Sequence, residues 1–320
     1  MRGLLEMPPT ASTAGGSAGP AERQAPSHGR LVASRYRLRS LLGRGGMGRV
    51  WLAHDELLDR QVAIKQDVLG DAGSRQLSGT AWTRVLGEAR AAARVGHAGV
   101  IGIHDVVWDG DCAWIVMEPL SGRTLAEALV ADGPLPFDDV VHIGLGLLDA
   151  LQAIHRAGIV HRDVKPGNVH LCDGGRVVLT DFGIAGNAGE QCDGPMGAVA
   201  GSPAYVSPEQ LNGVRPEPAS DLFSFGATLF AAAEGVAPFD RGDVFATVVA
   251  VLAGAPAPFR RAGPLGPVIA GLLTKEPEGR LTAAQARGVL LLLQKRMTGS
   301  PSDGPNRRRG SWRRPRRGSV

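Results

Sequence analysis

Residues 161–168 read His-Arg-Asp-Val-Lys-Pro-Gly-Asn, and Asp-Phe-Gly follows at residues 181–183, beginning thirteen positions beyond the end of the first string. Together the two strings supply two carboxylates, an ammonium and an amide. Transfer of a phosphoryl group needs such side chains, because a base must meet the attacking hydroxyl and positive charge must stand where negative charge develops. Asp-Phe-Gly alone is common by chance, so the pair of strings at this spacing is the specific signal. It predicts chemistry at phosphorus.

A glycine-rich string, Gly-x-Gly-x-x-Gly-x-Val, occupies residues 43–50, and Ala-Ile-Lys ends at Lys65. Glycines let backbone amides approach phosphate oxygens closely. The same string also fits a dinucleotide-binding fold, in which it would open a helix. Here a strand-like segment follows, which favours a glycine-rich loop between two strands.

In their order and spacing, these strings resemble the motifs of the protein kinase family, and they are similar to those of its bacterial Ser/Thr-type members. The resemblance covers about residues 36–297. It implies an α+β, two-lobed protein-kinase fold, with a small β-rich N-lobe that has one main helix and a larger, mostly helical C-lobe. It also implies ATP as the nucleotide, Mg²⁺ as the metal with Mn²⁺ as an alternative, and transfer of the γ-phosphoryl group to Ser/Thr hydroxyls of protein substrates, including the chain itself.

The resemblance assigns roles to the residues of the two strings. Asp163 would accept the proton of the substrate hydroxyl or orient that hydroxyl, and Lys165 would neutralise charge on the transferred phosphoryl group. Asn168 and Asp181 would hold magnesium, which prefers hard oxygen ligands. Lysine two residues after the base is typical of Ser/Thr kinases in this family, so serine and threonine hydroxyls are the expected substrates.

Lys65 resembles the strand lysine that contacts the α- and β-phosphates. Glu88, on the helical segment that follows, is its expected partner, and breaking that pair would inactivate the enzyme. The alternative is that Glu88 is one of several solvated helix charges.

The nucleotide pocket is assigned by the same resemblance. Met117 would guard the space behind adenine, and the Glu118 carbonyl and Leu120 amide would read the adenine edge. His170 stands where relatives have an aliphatic residue at the pocket floor; its imidazole could stack under a purine, or it is a tolerated substitution. The full set of ATP-binding candidates is Leu42, Gly43, Gly45, Gly48, Val50, Ala63, Lys65, Met117, Glu118, Leu120 and His170.

Residues outside the reaction centre are assigned structural or regulatory roles. Glu209, in Ser-Pro-Glu, would pair with Arg280 as a buried bridge, and Asp221 would anchor the backbone of the catalytic loop and cap a helix. The full set is His161, Arg162, Phe182, Gly183, Ser202, Glu209, Asp221 and Arg280.

The segment after Asp-Phe-Gly has an unusual composition, because residues 184–201 contain no Ser, Thr or Tyr. We therefore expect that loop phosphorylation is not the switch, and that Glu190 or Asp193 supplies the negative charge that Arg162 would contact. Ser202, the first hydroxyl, is expected to bond to Asp163 and Lys165. The hydroxyl-free loop and His170 leave open an alternative, a pseudokinase-like scaffold that binds nucleotide or partners without efficient catalysis.

Composition sets off the two ends of the 320 residues, and the strand and helix patterns together with the kinase resemblance divide the rest into two lobes. We expect a disordered segment at 1–33, the N-lobe at 34–118, the C-lobe at 119–298 and a basic disordered tail at 299–320. Strand patterns predict β-strands at 36–42, 50–53, 61–65, 102–109 and 112–117. Apolar periodicity predicts helices at 80–95, 137–157, 221–234, 244–253, 268–273 and 282–297.

The tail carries seven arginines and one aspartate, a net charge of +6 against +4 for the whole chain. It is either a solvated disordered tail or a contact for anionic lipid or nucleic acid, with peripheral membrane contact as a consequence. No apolar run approaches the roughly 20 residues of a transmembrane helix, and the three cysteines lack metal or redox spacing. These features predict a cytoplasmic protein, and a kinase–kinase dimer is a further expected partner.

Overall fold

The computed structural model describes residues 28–45, 48–67, 87, 89–90, 92–109, 112–181 and 202–298. Within them, an antiparallel sheet precedes a mainly helical region. This agrees with the expected two-lobed α+β fold.

The N-lobe sheet has six antiparallel strands in the order β1-β2-β3-β4-β6-β5. Alternating burial along β3 places Trp51 and Ala53 in the core, as expected for a sheet covered on that face. The five predicted strands are confirmed. The strands are β1 (Leu31–Val32), β2 (Tyr36–Gly45), β3 (Gly48–Asp55), β4 (Arg60–Asp67), β5 (Ile103–Asp109) and β6 (Cys112–Met117).

Strand β1 corrects the expectation that residues 1–33 are disordered, at least for residues 28–33. Leu31 pairs with Arg37, and Val32 pairs with Tyr36. Val32 is fully buried in the apolar cluster that includes Tyr36 and Leu38. Composition missed this strand because its two apolar residues follow a long Ala-, Gly-, Ser- and Pro-rich stretch.

The predicted helix at 80–95 falls largely outside the described residues. The described positions 87, 89, 90, 92 and 93 are helical, and Ala89 and Ala92 are buried. In this part, the pattern of small buried residues agrees with the prediction.

The C-lobe helices follow the predicted periodicity closely. The longest, α2, buries an apolar stripe that includes Leu147 and Leu151 in the main core. The helices are α1 (Leu125–Asp132), α2 (Phe137–Arg156), α3 (Pro208–Leu211), α4 (Pro218–Glu234), α5 (Val244–Ala253), α6 (Gly266–Leu272) and α7 (Ala283–Thr298).

A second, three-stranded sheet lies in the C-lobe and was not predicted. It consists of β7 (Arg123–Thr124), β8 (Val169–Leu171) and β9 (Val177–Leu179), in that order. Leu179 exchanges backbone hydrogen bonds with Gly99 and Ile101, which precede β5. This small sheet therefore joins the two lobes and flanks both catalytic strings.

Among the described residues, no helix combines the length and apolar character that crossing a membrane requires.

Candidate active site

The N-lobe and the second catalytic string meet at an ion pair. Lys65 lies on β4, with Val50 of β3 and Ile115 of β6 as its neighbours across the sheet. Its Nζ lies 2.6 Å from Asp181 Oδ1, two residues beyond β9. Lys65 is 5% exposed, so its charge is buried against the Asp181 carboxylate. Glu88, the expected partner of Lys65, lies outside the described residues.

The catalytic loop brings Asp163, Lys165 and Asn168 together. Lys165 Nζ lies 2.8 Å from Asp163 Oδ2, and Asn168 Nδ2 donates to the same oxygen at 2.8 Å. Asn168 Nδ2 also donates to the Asp163 backbone carbonyl at 2.8 Å. The Asp163 carboxylate is thus held between an ammonium and an amide.

Asp221 fixes the backbone of this loop from below. It is fully buried in α4, and its two oxygens accept the backbone N–H groups of His161 and Arg162, each at 2.8 Å. Its Oδ2 also lies 2.7 Å from His155 Nε2. The expected anchoring contact is therefore present.

The expected helix-capping role of Asp221 is corrected. Helix α4 begins at Pro218, and a reciprocal capping box joins Glu217 to Ser220. Asp221 lies one turn inside the helix, so its carboxylate is available to the loop instead of to the helix end.

His161 couples the two catalytic strings. Its Nε2 lies 3.0 Å from the Thr180 carbonyl, and its Nδ1 accepts the Asp163 N–H at 3.3 Å. Because Nδ1 accepts an N–H and Nε2 faces a carbonyl, the ring proton lies on Nε2; burial lowers the pKa of the imidazole below its ordinary value, which favours this neutral form. This tautomer connects Asp163 to the residue before Asp181.

Two residues of the strings adopt left-handed backbone conformations. Arg162 has φ +70° and Asp181 has φ +53°. A non-glycine residue in this region has a strained backbone, so surrounding contacts must stabilise the conformation. Here the bonds from Asp221 to Arg162, and from Lys65 to Asp181, provide such contacts.

Strand pairing places several of the expected nucleotide-pocket residues opposite one another. Gly43 pairs with Val50, and Gly45 pairs with Gly48, so the described part of the glycine-rich string lies at the paired ends of β2 and β3. Ala63 of β4 pairs with Met117 at the end of β6. Leu42 packs against the main core from β2. The chain then continues into the linker between the lobes, residues 118–122, which contains Glu118 and Leu120.

His170 lies on β8, where its partner across the strand pair is Thr124. Its Nε2 lies 3.0 Å from the Ser121 carbonyl. Because a carbonyl can only accept, His170 donates this bond. The ring thus contacts the linker, a contact that the sequence did not indicate.

Glu209 and Arg280 form a bidentate pair. Nη1 lies 2.7 Å from Oε1 and Nη2 lies 3.0 Å from Oε2. Burial raises the pKa of Glu209, but the hydrogen bonds and charge of Arg280, together with a backbone N–H and Ser220, hold that pKa below its ordinary value. The pair joins α3 to the segment before α7.

Ser202 does not make the contacts that we expected. Ser202 is exposed. Within the described residues, Asp163 and Lys165 form an ion pair with each other and make no hydrogen bond to the Ser202 hydroxyl. Phe182, Gly183, Glu190, Asp193 and the tail at 299–320 lie outside the described residues.

The donor set fits a magnesium ion. Asn168 directs its amide nitrogen to Asp163, so its amide oxygen is the atom that could serve as a metal ligand. Asp181 adds carboxylate oxygens, and Mg²⁺ commonly uses one or two protein ligands together with phosphate oxygens. Among the described residues, no group of three or more His, Cys, Asp or Glu side chains could hold a metal, and this kind of site does not need one.

Two further residues of the site were missed by sequence reasoning. His155 contacts Asp221, and Arg176 contacts Glu118. Their contacts span 66 and 58 residues of sequence, and no local motif marks either of them.

The fold and this arrangement define a protein kinase. A family model described as the protein kinase domain matches residues 36–289, and the chain belongs to that family.

Several bacterial proteins are similar to this chain. PksC, a serine/threonine-protein kinase of Streptomyces coelicolor, is 38% identical over 271 residues, which cover 80% of this chain and 48% of PksC. PknL, a serine/threonine-protein kinase of Mycobacterium tuberculosis, is 37% identical over 67% of this chain and 53% of PknL. A probable serine/threonine-protein kinase of Clostridium acetobutylicum is 36% identical over 66% of this chain and 32% of its own length. The chain therefore spans about half or less of these relatives.

Proposed function

We propose that this chain is a Ser/Thr protein kinase that transfers the γ-phosphoryl group of ATP to serine and threonine hydroxyls of proteins, including its own. The observation that carries the proposal is the ion pair between Lys65 and Asp181. It brings a cation from the N-lobe sheet to the carboxylate that follows β9, beside the loop that holds Asp163. The names of the bacterial relatives support the same activity.

Asp163 is the residue that orients the attacking hydroxyl. The bonds from Lys165 and Asn168 to Oδ2 fix the carboxylate. Its other oxygen, Oδ1, can then accept the hydroxyl proton as the hydroxyl oxygen bonds to the γ-phosphorus and the bond between that phosphorus and the bridging oxygen of the leaving ADP breaks. Lys165 also carries positive charge next to the reacting atoms, where charge develops on the transferred group.

Lys65 binds the α- and β-phosphates, and the linker after Met117 receives adenine. Asn168 and Asp181 would hold magnesium, which would neutralise charge at the phosphates. Mn²⁺ has the same preference for oxygen ligands and is an alternative.

The scaffold alternative predicts binding without chemistry. The site favours catalysis, because a polar cluster with a purely structural role would not need two cations and two carboxylates in these positions. The residues concerned are Lys65, Asp163, Lys165, Asn168 and Asp181. His170, one of the two features that left the scaffold alternative open, bonds to the linker and is compatible with a working pocket.

Partners and location follow from the same proposal. Phosphorylation of the chain by a second copy would require a kinase–kinase dimer. The net charge of +6 at 299–320 supports contact with anionic lipid or nucleic acid from a cytoplasmic location.

Phosphoryl transfer from labelled ATP, with magnesium and a mixed protein substrate, tests the proposal. We expect label on serine and threonine, and a loss of about 100-fold or more in rate for Asp163→Asn. The variant keeps the size of the side chain, so its nucleotide affinity should stay within about twofold of wild type. Equal labelling by both proteins, or label in neither, would refute the proposal.

A further inference from the structure

The linker between the lobes is held at both ends by one hairpin of the C-lobe. The linker comprises residues 118–122, and the hairpin consists of β8, β9 and the turn between them. Arg176, in that turn, contacts the first linker residue. His170, on β8, contacts Ser121 near the other end.

We propose that Arg176 is a positioning residue for adenine recognition, which acts through the Glu118 side chain to fix the backbone that reads the adenine edge. This inference rests on the proposed nucleotide-binding function. It adds a residue that lies outside the two catalytic strings and the glycine-rich string.

The Glu118 carboxylate is shared between the lobes. Its Oε1 accepts the backbone N–H of Gly102 at 3.0 Å, and its Oε2 accepts Arg176 Nη2 at 2.7 Å. The Glu118 backbone N–H also donates to the Gly102 carbonyl at 2.9 Å. Glu118 is thus fixed by its backbone and by both carboxylate oxygens, one to the N-lobe and one to the C-lobe.

Arg176 itself is well placed to act as a fixed point. Its Nη1 donates to the Ala98 carbonyl at 3.4 Å, and its backbone carbonyl accepts the Cys172 N–H at 2.9 Å. The guanidinium therefore links the hairpin to two separate segments, the linker and the stretch before β5. A planar guanidinium can hold two acceptors at a fixed angle, which a lysine ammonium does less well.

The far end of the linker is equally constrained. Gly122 has φ +95°, and a Cβ there would lie 2.1 Å from the Leu171 carbonyl oxygen. His170 Nε2 bonds to the Ser121 carbonyl at 3.0 Å. The Glu118 carbonyl and the Leu120 amide, which we expect to read adenine, lie between these two fixed ends.

The contribution of Arg176 to recognition is separable from its contribution to stability. The Arg176 and Glu118 side chains are 39% and 24% exposed, and pairs this exposed add little to folding free energy. A small shift of a recognition group has a larger effect on ligand binding, because hydrogen bonds depend steeply on geometry.

Adenine and guanine distinguish the two effects. Adenine presents a donor and an acceptor that complement a backbone carbonyl and amide, whereas guanine presents the reverse pattern. Loss of the linker position should therefore weaken adenine nucleotides more than guanine nucleotides. General damage to the fold would weaken both equally.

The experiment measures dissociation constants of ADP and GDP with magnesium, by displacement of a fluorescent nucleotide, for wild type, Arg176→Met and Arg176→Lys. We expect the preference for ADP over GDP to fall by about fivefold to tenfold in Arg176→Met, the equivalent of about one hydrogen bond between uncharged groups. Arg176→Lys should restore part of that preference.

Arg37→Met is the matched control. Arg37 also contacts one carboxylate, that of Glu56, and one backbone carbonyl, that of Gly29, at similar exposure. It lies on β2, away from the linker, so its removal should leave the preference for ADP unchanged.

The outcomes separate the two proposals. An unchanged preference in Arg176→Met, or an equal change in Arg37→Met, overturns the role of Arg176 alone. If the wild-type protein binds ADP but transfers no phosphoryl group, the proposed function is overturned. The role of Arg176 is then decided by whether Arg176→Met lowers the preference for ADP over GDP. Wild-type protein that binds neither nucleotide overturns both.

Discussion

Replacing Glu209 with glutamine removes one charge of the Glu209–Arg280 pair without a large change in shape. Arg280 is 1% exposed in its side chain and Glu209 is 11% exposed. Arg280 also donates to the carbonyls of Thr274, Ala219 and Lys275. The variant therefore leaves a buried guanidinium that keeps several neutral acceptors but has lost its counter-ion.

The expected loss of stability follows from this geometry. Removing one partner of a buried pair typically costs about 3–5 kcal/mol, because the remaining charge is uncompensated. The three carbonyl acceptors that remain place Glu209→Gln near the lower end, at about 3 kcal/mol. Asp149→Asn is a matched control, because its ion pair with Arg287 is 39% and 37% exposed and should contribute at most about 1 kcal/mol.

The effect of pH has a defined sign. The pKa of Glu209 in the folded protein lies below its ordinary value of 4.5, so the unfolded chain binds more protons between these two values. The stabilisation is therefore fully present above pH 4.5 and is lost as pH falls through the folded-state pKa.

Urea unfolding at pH 7, and in steps down to about pH 3.5, measures both effects. The difference between wild type and Glu209→Gln should be about 3 kcal/mol at pH 7 and should shrink at the acidic end. A difference below about 1 kcal/mol at pH 7, or one that stays constant with pH, would show that the pair does not stabilise the fold in this way.

Two further substitutions test the catalytic loop and the linker. Asp221→Asn replaces one acceptor oxygen with a donor that faces the backbone N–H groups of the catalytic loop. In steady-state kinetics we expect kcat to fall by about 100-fold, with a modest rise in KM for ATP. An unchanged kcat would contradict the anchoring role. Gly122→Ala should weaken ADP binding and lower the Tm by more than Gly158→Ala does. Both glycines have positive φ, but an added Cβ at Gly158 would have no atom within 4 Å, whereas one at Gly122 would clash with the Leu171 carbonyl oxygen. Equal effects of the two variants in thermal unfolding and nucleotide titration would refute this close approach.

The regular elements could be predicted because their apolar periodicity is strong. Helix α2 and strands β3, β4 and β6 bury continuous or alternating apolar residues, and the structure confirms them within a few residues. Short pairings carry too few residues for such a pattern. The three strands of the small sheet, each two or three residues long, therefore gave no signal.

The site was predictable as a set of motifs but not as a set of contacts. The strings named Asp163, Lys165 and Asn168, which lie within five residues of one another. The contact of Asp181 with Lys65 spans 116 residues; the motifs place both residues at one site but do not specify an ion pair, and Glu88, the predicted partner of Lys65, lies outside the described residues. The sequence pattern places Asp221 at the helix end, whereas α4 starts at Pro218 and is capped by the Glu217–Ser220 pair.

Strand β1 has a practical consequence for producing this protein. The family match begins at Tyr36, yet the Leu38 N–H donates to the Arg30 carbonyl, and the Gly29 N–H donates to the Leu38 carbonyl. A recombinant fragment cut at the family boundary would lose Val32 from its core position and leave β2 as an open edge, which invites pairing with another chain. Fragments for crystallisation or assays should therefore start ahead of His28.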